Sequence, residues 1–95
     1  MSKKNGNYDL AFKYLKQSIS LDSNNCRAYA ELGNVFAMSG DYNNALINYN
    51  RSISLDKTNP YPYNSKGALY YQFSNVDSLA ILNFNKALSL IKQTY

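Results

Sequence analysis

Apolar side chains recur along this chain at spacings of three and four, the mark of helices that bury one face. Residues 26–38 carry the pattern at Ala28, Tyr29, Leu32, Val35 and Phe36, with Asn25 placed to cap the first turn. Residues 42–55 carry it at Tyr42, Ala45, Leu46, Tyr49, Ile53 and Leu55, behind a capping Asp41. Asn59-Pro60 opens a further helix, because proline at the first helical position has no intrahelical N–H to lose. The pattern predicts that this helix runs through about Phe73. A first helix from about Tyr8 to Leu21 uses Leu10, Ala11, Tyr14, Leu15, Ile19 and Leu21. A last one, from about Asp77 to Ile91, uses Leu79, Ala80, Leu82, Phe84, Ala87, Leu88 and Ile91. The expected fold class is therefore all-α, with five helices. Gly40 suits the left-handed conformation that ends a helix.

The chain also repeats itself. Ser18-Ile19-Ser20-Leu21-Asp22 returns as Ser52-Ile53-Ser54-Leu55-Asp56, and Gly6-Asn7-Tyr8 as Gly40-Asp41-Tyr42. Ala11 returns as Ala45 and Asn25 as Asn59. Tyr29, Leu32, Gly33 and Phe36 return as Tyr63, Lys66, Gly67 and Tyr70. A third copy, Ala80 and Ala87-Leu88-Ser89-Leu90, comes one residue late, which predicts an insertion before Ala80. The period is about 34 residues, that of a helix–turn–helix repeat. Gly33, Gly67, Ala11, Ala45 and Ala80 stand where paired helix backbones should come close, so a bulky side chain there would force a hairpin open.

These residues resemble the tetratricopeptide repeat, whose unit is an antiparallel pair of helices, A and B. Residues 26–59 resemble one full unit: Tyr29, Leu32, Gly33, Phe36, Gly40, Tyr42, Ala45, Tyr49, Ser52, Ile53, Leu55 and Asp56 fall in step, with Lys57 at the usual proline position. Residues 60–94 resemble a second unit with a one-residue insertion, in which Lys66 replaces the expected leucine and Ser74-Asn75-Val76 replaces Gly-Asp-Tyr. Residues 1–25 match only the second half of a unit. The resemblance implies a single domain over residues 1–95: an α-α superhelix, a solenoid of hairpins in the order B-A-B-A-B. Each hairpin must stack on a neighbour to bury its apolar face. The final hairpin, without the Gly and Tyr that lock the turn at Gly40, is expected to be the less firmly held.

Composition narrows the chemistry. The 95 residues contain no histidine, and glutamate occurs once, as Glu31. His-based triads, His-ligated zinc and Cys-His pairs are excluded by counting. Asp9, Asp41 and Asp77 fall at helix starts, and Asp22 and Asp56 at equivalent helix ends, so the acids read as caps and not as acid–base pairs. Cys26 begins a helix but has no partner base or second cysteine, and reads as an ordinary helix-start residue. The expectation is no enzyme, no catalytic residue, no metal and no cofactor. No segment approaches the roughly 18 apolar residues of a membrane span. One cysteine and a start without an apolar leader favour an intracellular, cytoplasmic setting. Asn50-Arg51-Ser52 fits a glycosylation pattern but lies inside a helix, and reads as accidental. The net charge of +4 comes from scattered lysines and arginines, and most aromatics occupy core positions, so nucleic acid is disfavoured as a ligand.

The resemblance implies that the A helices line a concave groove for a protein or peptide partner. The positions that face it fall on Arg27, Ala30, Asn34, Ala37 and Met38 in the first A helix and on Tyr61, Asn64, Ala68, Tyr71 and Gln72 in the second. On this reading Asn34 and Asn64 bond a peptide backbone, Arg27 attracts an acidic group and Tyr71 supplies an apolar wall. Family members that clamp a chaperone's C-terminal carboxylate use lysines and asparagines where this chain has Ala30, Glu31, Tyr61 and Ser65, so that clamp is not expected. The alternative from a different class is a structural, self-associating segment of a longer array, a homo-oligomer formed through apolar terminal helices that leave Leu10, Tyr14, Leu15 and Ile91 uncovered. An RNA-binding helical repeat ranks third.

Overall fold

A computed structural model describes the backbone of residues 2–74 and 77–94 and the side chains of residues 8–73 and 77–92. The five helices come in the expected order: α1 (Ser2–Leu21), α2 (Cys26–Met38), α3 (Tyr42–Leu55), α4 (Pro60–Leu69) and α5 (Asp77–Thr94). Helix α1 starts earlier than the apolar pattern indicated, because its first residues are polar and leave no period to read. The turn containing Asn75 and Val76 lies outside the described residues.

Side-chain caps set the helix starts. Asn25 accepts from the Ala28 N–H at 3.0 Å, Asp41 from Asn44 at 3.3 Å and Asn59 from Tyr61 at 3.0 Å, each satisfying an orphan donor of a first turn. Helix α2 stops at Gly40, whose φ is 89°. The Asp41 N–H reaches the Phe36 carbonyl at 2.8 Å and the Gly40 N–H reaches Ala37 at 3.1 Å, the paired bonds of a Schellman end. No atom crowds Gly40, so glycine is required there by backbone conformation alone.

The hairpins α2–α3 and α4–α5 close by the same device. A Cβ at Gly33 would lie 2.6 Å from the Tyr49 ring, and one at Gly67 would lie 2.8 Å from the Phe84 ring. Each aromatic of the B helix thus lies against a glycine of its A helix. Ala45 and Ala80, 0% and 2% exposed, bring the backbones together beside them. Asn48 and Asn83, both buried, donate to the carbonyls of Asn44 and Leu79 at 2.8 Å. Burial of those amides is therefore satisfied within each B helix. Successive units stack through Leu69 of α4, which forms one buried cluster with Ala45 and Tyr49, against which Phe36, Ala37 and Leu46 pack. Helix α1 joins α2 through Phe12 on Phe36, with ring centroids 4.7 Å apart, and through the Tyr8 hydroxyl, which donates to the Met38 carbonyl.

The expected insertion is absorbed inside the second A helix. After Leu69 the chain continues as a π-helical turn, Tyr70–Ser74. A π turn places one extra residue in a helix and rotates the side chains beyond it. Phe73 thereby stacks on Tyr42 with centroids 4.5 Å apart, a contact the uninterrupted pattern did not anticipate.

Candidate functional site

The inner surfaces of α2 and α4 enclose an open depression of about 390 Å³. Its walls include Asn34, Ala37 and Met38 from α2 and Asn64, Ala68 and Gln72 from α4 and its π turn, with Tyr49, Leu69 and Phe73 beneath and beside them. Six of the ten residues expected to face a ligand therefore meet in one place. The small side chains of Ala37 and Ala68 leave the space, and Asn64 and Gln72 supply amides that both donate and accept. Among the described residues, no charged side chain lines the depression.

The other four candidates lie elsewhere. Ala30 is 0% exposed, so it is closed to a ligand. Arg27 points to solvent and pairs with Glu31 one turn on, 3.0 Å away. The hydrogen bond to Glu31, and then its charge, hold the Arg27 pKa above its ordinary value. A guanidinium so partnered is a weaker lure for an acidic ligand than the sequence suggested. Tyr71, 64% exposed, turns toward Asp77, Ala80, Ile81 and Phe84 on the other side of α4. The π turn explains this: the side chain brought to the depression is Phe73.

Tyr61 forms one end of a hydrogen-bond chain that joins three helices. The buried Tyr49 hydroxyl donates to Asn34 Oδ1 at 2.5 Å, and Asn34 Nδ2 donates to the Tyr61 hydroxyl at 2.7 Å. Burial, with a contribution from nearby Tyr61, pushes the Tyr49 pKa up to about 12, so this hydroxyl stays a neutral donor at ordinary pH. Two of the Asn34 amide's bonding positions are thus spent on the fold. Asn34 orients the two units and presents its remaining N–H to the depression, whereas Asn64 is exposed and its side chain is available to a ligand. Asn34 read from sequence alone as a groove residue, and its structural half was missed. The available signal was Tyr49: a buried tyrosine needs a partner for its hydroxyl.

Cys26 also serves the fold. Its Sγ lies 3.1 Å from Ser52 Oγ and 3.6 Å from Asn59 Nδ2, so it ties the start of α2 to α3 and to the cap of α4. Among the described residues there is no cluster of three or more metal-binding side chains, and no helix is long and apolar enough to cross a membrane.

Comparison with known proteins agrees with the repeat fold. One sequence profile, described as a TPR repeat, matches residues 33–72, and another, described as a tetratricopeptide repeat, matches residues 2–25. The chain belongs to the tetratricopeptide repeat family. It is 37% identical over 65 residues to a TPR repeat-containing protein of Methanocaldococcus jannaschii, a match that covers 68% of this chain and 11% of that relative. It superposes on a crystal structure of MamA with a TM-score of 0.78 and 26% identity, over 97% of this chain and 51% of that one. The chain thus spans only part of the length of each of these relatives. Membership of the tetratricopeptide family supports a protein-interaction module in general terms. It says nothing of what the module holds.

Proposed function

We propose that this chain binds an extended, uncharged peptide segment in the depression between α2 and α4. The observation that carries the reading is the lining itself: a floor of small and apolar side chains, an amide on each side and no charge. Asn64 and Gln72 bond the peptide backbone, and the cleft over Ala37 and Ala68 receives one apolar side chain, with Met38 and Phe73 as walls. Because the groove spans two A helices, binding is weak, on the order of 10 μM or poorer. A ligand held this way is largely insensitive to salt, whereas a nucleic acid would show a steep log–log salt slope.

The test is selection from a displayed library of random peptides, followed by titration of the enriched sequences. Wild-type protein should enrich neutral peptides with an apolar anchor. Ala68→Arg, which fills and charges the cleft, should weaken binding at least tenfold, and the surface control Lys57→Ala should leave it unchanged. Enrichment of acidic peptides, or binding that survives Ala68→Arg, would defeat this reading. RNA captured in place of peptide, with a steep salt slope, would promote the nucleic-acid alternative.

A further inference from the structure

We infer that the outer face of the α4–α5 hairpin pairs with the same face of a second copy, the two α5 helices running antiparallel about a two-fold axis. Helix α5 exposes Ile81, Phe84, Leu88 and Ile91 by 57, 36, 49 and 43%. Their spacing of three, four and three is the seam by which one helix packs along another. With Tyr61 of α4 and Tyr71 of the π turn they line two depressions of about 440 and 330 Å³ that share Phe84 and so form one trough. Among the described residues, Asp77 is the only charged side chain lining these two depressions, and Lys92 lines a neighbouring one that shares Leu88.

The fold shows what such a face receives. The equivalent face of α2–α3 carries Leu46, Tyr49 and Ile53, and α4 reaches it through Leu69, which is buried in one cluster with Tyr49 against which Leu46 packs. The α4–α5 face repeats these positions, and no other described helix covers it. A second copy fits for two reasons. First, the seam is self-complementary when antiparallel: Ile81 meets Ile91 of the second copy and Phe84 meets its Leu88, giving four layers of matched size. Second, Asp77 lies in the first turn of α5 and Lys92 in the last. Antiparallel pairing brings each Asp77 beside Lys92 of the second copy, twice over, whereas parallel pairing would set like charges together. A helix pair of ~27 Å, from 18 residues at the usual rise, with flanking contacts from α4, makes an interface at the small end of stable ones. The dissociation constant should therefore lie in the micromolar range, on the order of 1–100 μM.

Sedimentation equilibrium of the whole chain under reducing conditions, from about 10 μM to 1 mM, reads the pairing. The expected result is a monomer–dimer equilibrium. Leu88→Lys and Ile81→Lys, both at exposed positions, should each weaken it at least tenfold with helicity retained. Asp77→Lys should weaken it about threefold, and adding Lys92→Asp should restore it. A strict monomer at 1 mM would overturn the pairing. So would a dimer that ignores Leu88→Lys but is lost on Tyr14→Lys, which would place the contact on α1. Failure of the charge swap to restore Asp77→Lys would overturn the antiparallel arrangement. A synthetic peptide of residues 59–74, the sequence of α4 and its π turn, is the rival probe. If it binds the trough while the chain stays monomeric, the face belongs to an A-type helix and not to a second copy.

Discussion

Tyr49→Ala is expected to destabilise the fold by about 3–5 kcal/mol, the usual cost of deleting a buried aromatic. Tyr49 is 2% exposed and packs with Ala45 and Leu69. Its ring covers Gly33, and its hydroxyl starts the chain through Asn34 to Tyr61. One truncation therefore opens the α2–α3 hairpin and loosens the seat of α4 together. Small domains hold only ~5–15 kcal/mol in all, so the variant should lose a large share of the fold's stability, with a clearly lowered urea midpoint. Tyr49→Phe separates the two roles: it keeps the ring and breaks the hydrogen-bond chain, at about 1–2 kcal/mol. The same hydroxyl predicts a pH dependence. Its pKa rises from 10.0 to about 12 on folding, so the folded state holds the proton more tightly than the unfolded one. The associated stabilisation is complete below pH 10 and is lost as pH climbs through 10 toward 12. Urea unfolding across that interval should show a decline in wild type that is smaller in Tyr49→Phe.

Gly33→Ala is expected to cost ~1–2 kcal/mol, although alanine is the better helix former by about 1 kcal/mol. The new methyl would stand 2.6 Å from the Tyr49 ring and 3.1 Å from the Ala45 carbonyl. The ring has nowhere to go: it is buried, and its hydroxyl is tethered to Asn34. Gly67→Ala is the instructive contrast. There the methyl would stand 2.8 Å from the Phe84 ring and 3.2 Å from the Ala80 carbonyl, much as at Gly33, but Phe84 is 36% exposed and carries no hydroxyl tether. It can slide into the trough, so the gain in helix propensity should leave that variant within ~0.5 kcal/mol of wild type. Thermal unfolding of the two variants side by side checks the argument. Equal losses would show that backbone approach, and not freedom of the ring, sets the cost.

The helices were legible because their signals are local. Asn25, Asp41 and Asn59 mark starts by capping, and Gly40 marks an end by its conformation. The period between them states which face is buried. Gly33 and Gly67 were readable as close approaches because the repeat returns a small residue at the same place in each unit; that the aromatics Tyr49 and Phe84 lie against them was seen only in the structure. The π turn was not legible. The repeat showed that a residue had been inserted, but winding i→i+5 leaves no pattern of its own, so the extra residue was expected in the loop beyond Phe73. That displacement accounts for the assignment of Tyr71 to the groove where Phe73 stands. Asn34 and Arg27 show a second limit. Position on a helix says which way a side chain leaves the backbone, but not whether Tyr49, Tyr61 or Glu31 has already engaged it.

Titration of isotopically labelled protein with an enriched neutral peptide, followed by backbone amide NMR, tests the central claim most directly. The account predicts saturable shifts clustered at Ala37, Met38, Ala68, Gln72 and Phe73, with α1 and the outer face of α5 unmoved, and their loss in Ala68→Arg. Shifts confined to α1 or α5, with the depression between α2 and α4 silent at saturation, would contradict it.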